Sequence, residues 1–399
     1  MTRLKVALDA RRAVRPMTGI GHYVLQLARR MPALAPELEF QLLVDRPLPE
    51  GELPEGCTQV VIGWAVSHSA ALARLYSPVW LNTSVPRHVA SDGVALLHGM
   101  NSVIPFRAPC RTVCTIHDVS FMRVPHAFGP LYRRYMHMQA RVALGSADAV
   151  VSVSESSRRD ISELLGAASS DVIVIHNGVD EEFYDVHGED YLRRVRSELD
   201  LPGRYLLHVG LVETKKDIET LLVAGADLVR AGLVDNLVIA GRDGFGARDI
   251  RSRASALGLD GKARFIGFVP QRLLPGVYTL ASAVVFPSQY EGFGLPVLEG
   301  MASGVPVVAA DCSSIPEVAG DAAVLFPPGD AVRLTAALRI VLSDAGLRAE
   351  LRRRGLTRAR QFTWAESAAR HVAVYRQVLG KVDGSTDVRR SGSGQSLAP

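Results

Sequence analysis

The residues best suited to chemistry lie within residues 283–310, AVVFPSQYEGFGLPVLEGMASGVPVVAA, where two carboxylates flank a glycine-rich loop. The apolar run AVVF reads as a buried strand, and a helix of about two turns follows the loop, because Pro296 suits a first helical turn and Gly304 suits an end. Gly292 and Gly294 stand just before that turn, where backbone N–H groups are unpaired and the helix dipole is positive. That is a place for phosphate or for polarised sugar oxygens. Glu291 precedes the loop, and Glu299 sits on the first turns with its side chain leaning back toward the same helix end. A tight turn with a helix-start charge has the same composition. Two carboxylates beside an anion cradle can also accept hydrogen bonds from hydroxyls, one holding a hexose and the other a ribose.

Other candidates stand at the ends of apolar runs. His117 and Asp118 close the run TVCTIHD, at the carboxyl edge where open α/β sheets bind ligands. Gly19 and Gly21 flank a helix start after the first strand. Lys215 and Lys216 follow the run HVG that ends at Gly210, and a lysine is either a surface charge or a point-charge phosphate binder. His22, His98 and His176 are secondary candidates.

These residues need a frame, and the rest of the chain predicts one. Short β-branched runs alternate with amphipathic stretches from end to end, the pattern of parallel sheets with helices on both faces. In the first half the runs are LKVALDA, FQLLVD, VALLHG, TVCTIHD, DAVVSVS and DVIVIHNG; in the second they are RYLLHVG, NLVIAG, ARFIGF, AVVFPS and VPVVAA. Val24, Leu27, Ala28 and Met31 recur at helical spacing after Gly21, with Pro32 as the stop. The polar, acidic residues 180–202 read as a linker. The expected organisation is α/β, with Rossmann-like βαβ domains at residues 1–185 and 202–362. Residues 363–381 would form a helix packing back on the first domain, and the Ser/Gly-rich residues 382–399 a disordered tail.

Composition agrees with this frame. At 399 residues the chain exceeds the roughly 250–300 at which single cores stop growing, and 48% hydrophobic with 22% charged is globular. The start MTRLKVALDA lacks a signal-peptide pattern, no long uncharged apolar stretch occurs, and four sparse cysteines read as reduced thiols, which together predict a cytoplasmic protein. The net charge of +4 is small but gathers at Arg133 and Arg134, at Arg158 and Arg159, and at Arg352 to Arg354. Such clusters are solvated helix faces or a docking surface for the anionic inner face of a membrane. Clustered basic and aromatic residues of a nucleic-acid binder are missing, so no nucleic-acid partner is expected.

The E-x7-E spacing inside EGFGLPVLEGMASGVPVVAADCSSIPEVAGDAA resembles the donor-site signature of glycosyltransferase family 4, retaining enzymes of the GT-B fold. TGIGHY, TIHD, SADAVVSVSESSRRDI, VIHNGVD, HVG with KKDIETL, LVIAG and FIGFVP agree in the same order, so that residues 4–380 resemble the family, bacterial mannosyltransferase-like members most closely. The resemblance implies two domains facing each other across a cleft and transfer of a hexose, mannose first, from a nucleotide-diphosphate sugar to a glycan or lipid-linked acceptor in surface polysaccharide synthesis. It places Glu291 on the hexose, the backbone of Gly292, Phe293, Gly294 and Leu295 on the sugar and diphosphate, and Glu299 on the ribose. The base falls near Phe268 and Val269. Lys216 falls on the diphosphate with Lys215 close by, Gly210 at the strand end beside them, Gly19 and Gly21 approach the phosphate across the cleft, and His117 lies beside the transferred sugar. Many relatives carry an arginine where this chain has Leu211, so either Lys215 supplies the second positive charge or Lys216 and backbone dipoles suffice.

No cofactor and no metal are expected: no two aspartates stand two positions apart and no Cys/His cluster has ligand spacing. A nicotinamide-dependent dehydrogenase fits poorly, because Val297 stands where a third glycine or alanine belongs. A nucleotide-sugar epimerase or phosphorylase, and a non-catalytic homologue, share the scaffold and remain alternatives.

Overall fold

A computed structural model describes residues 3–14, 18–63 and 78–380; the expected tail at 382–399 lies outside them. The first seven strands, β1 (Leu4–Asp9), β2 (Leu38–Val44), β3 (Cys57–Val61), β4 (Leu96–Gly99), β5 (Arg111–Ile116), β6 (Ala149–Ser152) and β7 (Val172–Val174), form one parallel sheet in the order β3-β2-β1-β4-β5-β6-β7. A second parallel sheet, of β8 (Tyr205–Val209), β9 (Asn236–Ala240), β10 (Ala263–Gly267), β11 (Ala283–Phe286), β12 (Val307–Ala310) and β13 (Val324–Phe326), runs β10-β9-β8-β11-β12-β13. In both, strand order reverses beside the first strand of the set, between β1 and β4 and between β8 and β11. Those switch points are where open α/β sheets leave a crevice. The strands nearest them are buried along nearly their whole length because helices cover both faces, which is why they read as continuous apolar runs.

The edge strands β3 and β13 escape the sequence reading: both are short and only partly buried, so their apolar signal is weak. Pro32 does not stop its helix, which runs Gly19–Leu34 with the proline inside. Its missing N–H falls in the last turn, where it forfeits one bond and the helix ends two residues later. The stretch 180–202 is more than a linker, since it folds into a turn at Glu181–Tyr184 and a helix at Glu189–Glu198. Phe183, Val195 and Leu201 bury themselves in the core of the second sheet. Val195 is the one fully buried residue of that helix, with the partly buried Tyr191 packed against the same core, so its apolar face is short among charged residues.

The last helix, Trp364–Gly380, returns to the first sheet and buries Trp364, Val372, Tyr375 and Val378 there. Each such side chain stabilises by about 1.5–3 kcal/mol. A polar seam runs beneath it. The Tyr23 hydroxyl meets Thr115 Oγ1 at 2.9 Å and His371 Nε2 at 2.8 Å, while His98 bridges Thr115 at 2.8 Å and the Tyr375 hydroxyl at 2.6 Å.

Candidate active site

The glycine-rich loop leaves β11 at its carboxyl end and leads into the helix Leu295–Ala302. Gly294 makes the turn with φ +99°, a conformation side chains rarely adopt, and a Cβ there would come within 2.6 Å of Ile315 Cδ1. The helix starts there with no side-chain cap and, at Pro296, without a donor to lose. Across the cleft stands the start of the helix Gly19–Leu34, which has no side-chain cap; a Cβ on Gly19 would lie 4.0 Å from Leu295 Cδ1. Two helix N-termini thus converge from opposite domains, and each favours negative charge.

Glu291 is 8% exposed, and its Oε1 accepts a hydrogen bond from Lys216 Nζ at 2.6 Å. Its backbone is fixed as well, by the N–H donating to Ser313 Oγ at 2.8 Å and the carbonyl accepting from Ser314 Oγ at 3.0 Å. Burial works to raise the Glu291 carboxyl, but the Lys216 and Lys215 charges outweigh it and hold the group below its ordinary value. Lys216 also lies 5.6 Å from the centre of the Phe286 ring. Lys215 reaches the other way, its Nζ 3.8 Å from Asp118 Oδ2 on the first domain. Burial opposes its charge, yet Asp118, Glu291 and Glu213 together hold the ammonium above its ordinary value. The two lysines thus have different partners, Lys216 within its own domain and Lys215 across to the first, and Leu211 is half-buried.

His117, at the end of β5, is half-buried. Its Nε2 lies 2.9 Å from the carbonyl of Met100, which can only accept, so Nε2 carries the hydrogen and Nδ1 keeps a lone pair. Burial pulls the imidazole below its ordinary value against the pull of that bond and of Asp118, so the ring is neutral near pH 7. Tyr23 packs edge-on against it at 4.9 Å. The glycine loop touches this corner directly: a Cβ on Gly292 would fall 2.4 Å from the His117 carbonyl oxygen and 3.1 Å from Asp118 Cβ. Only glycine allows that approach. The Gly292 carbonyl accepts from Ser154 Oγ at 2.7 Å and Ser157 Oγ at 3.2 Å, both from the first domain.

Glu299 occupies the helix that follows, where its Oε2 accepts from the Tyr278 hydroxyl at 2.7 Å. Burial raises its carboxyl against the effect of that bond. Phe268 is 45% exposed after β10, whereas Val269 is buried in the second core. Gly210 closes β8; a Cβ there would lie 3.4 Å from His208 Nε2 and 3.7 Å from Lys216 Cε. The structure thus brings His117, Lys215, Lys216, Glu291 and Gly292 to one corner.

The secondary histidines have other duties. His98 belongs to the buried seam, His22 Nε2 lies 3.1 Å from Asp180 Oδ2, and His176 Nε2 lies 2.7 Å from Glu317 Oε1. Residues that sequence reasoning passed over include Ser154, Ser157, Ser313, Ser314, Tyr278 and Glu317. Glu317 is the most unexpected, since its two oxygens accept from the amides of Glu155 at 2.8 Å and Ser156 at 3.0 Å. A carboxylate of the second domain thereby caps a helix of the first. The serine-rich motifs SVSESS and DCSS carried a signal, because serines at strand ends cap and clamp neighbouring backbone.

Comparison with known proteins agrees with this geometry. The family model described as Glycosyltransferase Family 4 matches residues 17–183, and that described as Glycosyl transferases group 1 matches residues 193–358. The chain is 30% identical over 371 residues to the O-antigen chain mannosyltransferase B of Escherichia coli, covering 90% of this chain and 96% of that protein. Among solved structures, sucrose-phosphate synthase of Thermosynechococcus elongatus superposes with a TM-score of 0.77 at 23% identity, covering 95% of this chain and 100% of the other. Anabaena HepE in complex with UDP and glucose superposes with a TM-score of 0.74 at 19% identity, over 94% and 99% of the two chains. Two parallel α/β domains facing across a cleft are the GT-B architecture, and by its motifs and its full-length match to a relative this chain belongs to glycosyltransferase family 4.

Proposed function

We propose that this glycosyltransferase is a retaining hexosyltransferase that moves mannose from a nucleotide-diphosphate sugar, GDP-mannose first, to a glycan or lipid-linked acceptor in surface polysaccharide assembly. The observation that carries the reading is the corner where Lys216 and Glu291 pair beside a helix N-terminus, on a loop whose Gly292 lies directly against the backbone of His117. Lys216, Lys215 and the amides before Pro296 suit a diphosphate; Glu291 and the Nδ1 lone pair of His117 suit hexose hydroxyls; Glu299 suits the ribose, with the base near Phe268 and Val269. The acceptor hydroxyl oxygen bonds to the anomeric carbon on the face the phosphate leaves, the anomeric C–O bond to phosphate breaks, and the departing phosphate takes the hydroxyl proton. No protein nucleophile enters. The enzyme acts by positioning and by fixed positive charge, which needs no reorganisation during reaction.

The test is transfer from a panel of GDP- and UDP-sugars to a synthetic mannose-terminated acceptor, with the anomeric configuration of the product read by NMR. Retention is expected, with most activity kept in excess chelator because the cations on the leaving group are lysines. An inverted product, epimerised free donor, or activity abolished by chelator and restored by magnesium would refute it.

Among the described residues no helix is long and apolar enough to cross a membrane. The helix Pro130–Ser146 instead exposes Leu131 at 82%, Tyr132 at 48% and Met138 at 41% beside the exposed Arg133 and Arg134. That mixture supports peripheral docking on the inner membrane surface, where about 1 kcal/mol accrues per basic residue on anionic lipid. Sedimentation with phosphatidylglycerol vesicles should fall for Leu131→Asp and at high salt; binding equal to that on neutral vesicles would remove the proposal.

A further inference from the structure

Tyr278 lies on the short helix Leu274–Thr279, outside the loop, the lysines and the histidine considered so far. Its side chain is completely buried. The phenol donates to Glu299 Oε2 at 2.7 Å. Its surroundings leave it little room to turn: the ring packs edge-on against Phe183 with centroids 5.6 Å apart and planes at 78°. Phe183 belongs to the turn Glu181–Tyr184, on the stretch that connects the two sheets. The short helix is pinned in its turn. Tyr205 Oη donates to the Val277 carbonyl at 2.6 Å, and Gly276 N–H donates to the Tyr191 hydroxyl at 3.3 Å.

A carboxylate that holds the two vicinal hydroxyls of a ribose must stay ionised and must keep its plane. Glu299 stands on a helix at the cleft, half-buried, where burial disfavours the charge. A carboxylate offers about four lone-pair sites. A phenol on one oxygen uses one of them, favours the charged form and removes the rotation that the side chain would otherwise lose on binding, leaving the remaining sites for the two hydroxyls.

We infer that Tyr278 is a positioning residue for the donor: through its hydrogen bond to Glu299 Oε2, backed by Phe183, it sets the carboxylate that receives the ribose diol. The inference rests on the reading of Glu299 as the ribose carboxylate, and the experiment separates the two. Binding of GDP and of 2′,3′-dideoxy-GDP is measured by calorimetry on the full chain and on Tyr278→Phe, which keeps the ring against Phe183. Tyr278→Phe should weaken GDP between about 3- and 10-fold, the span of one hydrogen bond, and dideoxy-GDP by less than about 1.5-fold. The acidic limb of GDP binding should also move to higher pH in the variant, because the bond that favours ionised Glu299 is gone. In transfer assays KM for the donor should rise with kcat nearly unchanged. Equal weakening of both nucleotides, with an unmoved pH limb, would overturn the role of Tyr278 and leave it a packing residue. Glu299→Gln is measured in parallel: if that variant also weakens both nucleotides equally, the ribose reading itself has failed, whereas discrimination by Glu299→Gln without discrimination by Tyr278→Phe sinks the positioning role alone.

Discussion

Lys216 and Glu291 hold each other at 2.6 Å, so a donor must enter between two side chains that are already partners. In the proposed assignment each exchanges that partner for a part of the ligand, the ammonium for a phosphate oxygen and the carboxylate for a hexose hydroxyl. The two substitutions should therefore behave oppositely toward a nucleoside diphosphate. Lys216→Ala should weaken it by about 1.5–3 kcal/mol, the range for a hydrogen bond to a charged group, and should scarcely change the affinity for the nucleoside. Glu291→Gln should bind the diphosphate at least as tightly as the parent, because the ammonium is released, while transfer falls about 100-fold or more. Titration calorimetry and a transfer assay decide it. Loss of diphosphate binding in a folded Glu291→Gln would show that Glu291 and Glu299 have been assigned in reverse, with Glu291 on the nucleotide.

Among the elements, the helix Trp364–Gly380 carries a pH dependence of its own. His371 is completely buried, and burial holds it at about 4, below the roughly 6.5 of the unfolded chain. His98, stacked at 5.8 Å from it, is lowered for the same reason. A folded-state value below the unfolded one means the unfolded chain binds the extra proton. The stability these histidines confer is then complete above about pH 6.5 and drains away as the pH falls toward about 4. The thermal midpoint should drop between about pH 7.5 and about pH 5, and the drop should be smaller in His371→Asn even though that variant starts lower. A parallel drop in both proteins would place the titration elsewhere.

For the whole molecule, the decisive contact is Gly292 against the His117 carbonyl, registered by Ser154 and Ser157 and braced by Glu317 on the amides of Glu155 and Ser156. Cleft closure is expected to make and break this set together, as in hinge closure around a ligand. Gly292→Ala should hold the domains apart, because a Cβ cannot sit 2.4 Å from a backbone oxygen. Misplacement on the order of 1 Å costs about 100-fold in rate, so kcat should fall by that order while diphosphate affinity changes little. Small-angle scattering should report a larger radius of gyration in the variant with donor bound. An unchanged radius and rate would mean that the contact plays no part in closure.

How much of this was readable beforehand follows from what is local. Strands covered on both faces announce themselves as apolar runs, and Glu291, the glycines, Pro296 and Glu299 sit within one strand-loop-helix unit, so their convergence on a helix end follows from sequence spacing. Half-exposed edge strands such as β3 and β13, and a helix with Val195 as its one buried residue, leave no such trace. Partnerships between distant residues leave none either. That Lys216 would meet Glu291 75 positions away depends on β8 lying beside β11 in one sheet, that Tyr278 would hold Glu299 depends on the packing of two helices of the same domain, and that Glu317 would cap a helix 162 positions earlier depends on how two sheets are set against each other. The sequence by itself determined the two-domain α/β plan, through period and composition, and the identity of the reactive side chains. Only the tertiary structure decided their partners, and with them which charges are neutralised, because burial and ion pairing arise from packing between segments distant in the chain, within the second domain for Lys216 and Glu291 and between the domains for Lys215 and Asp118.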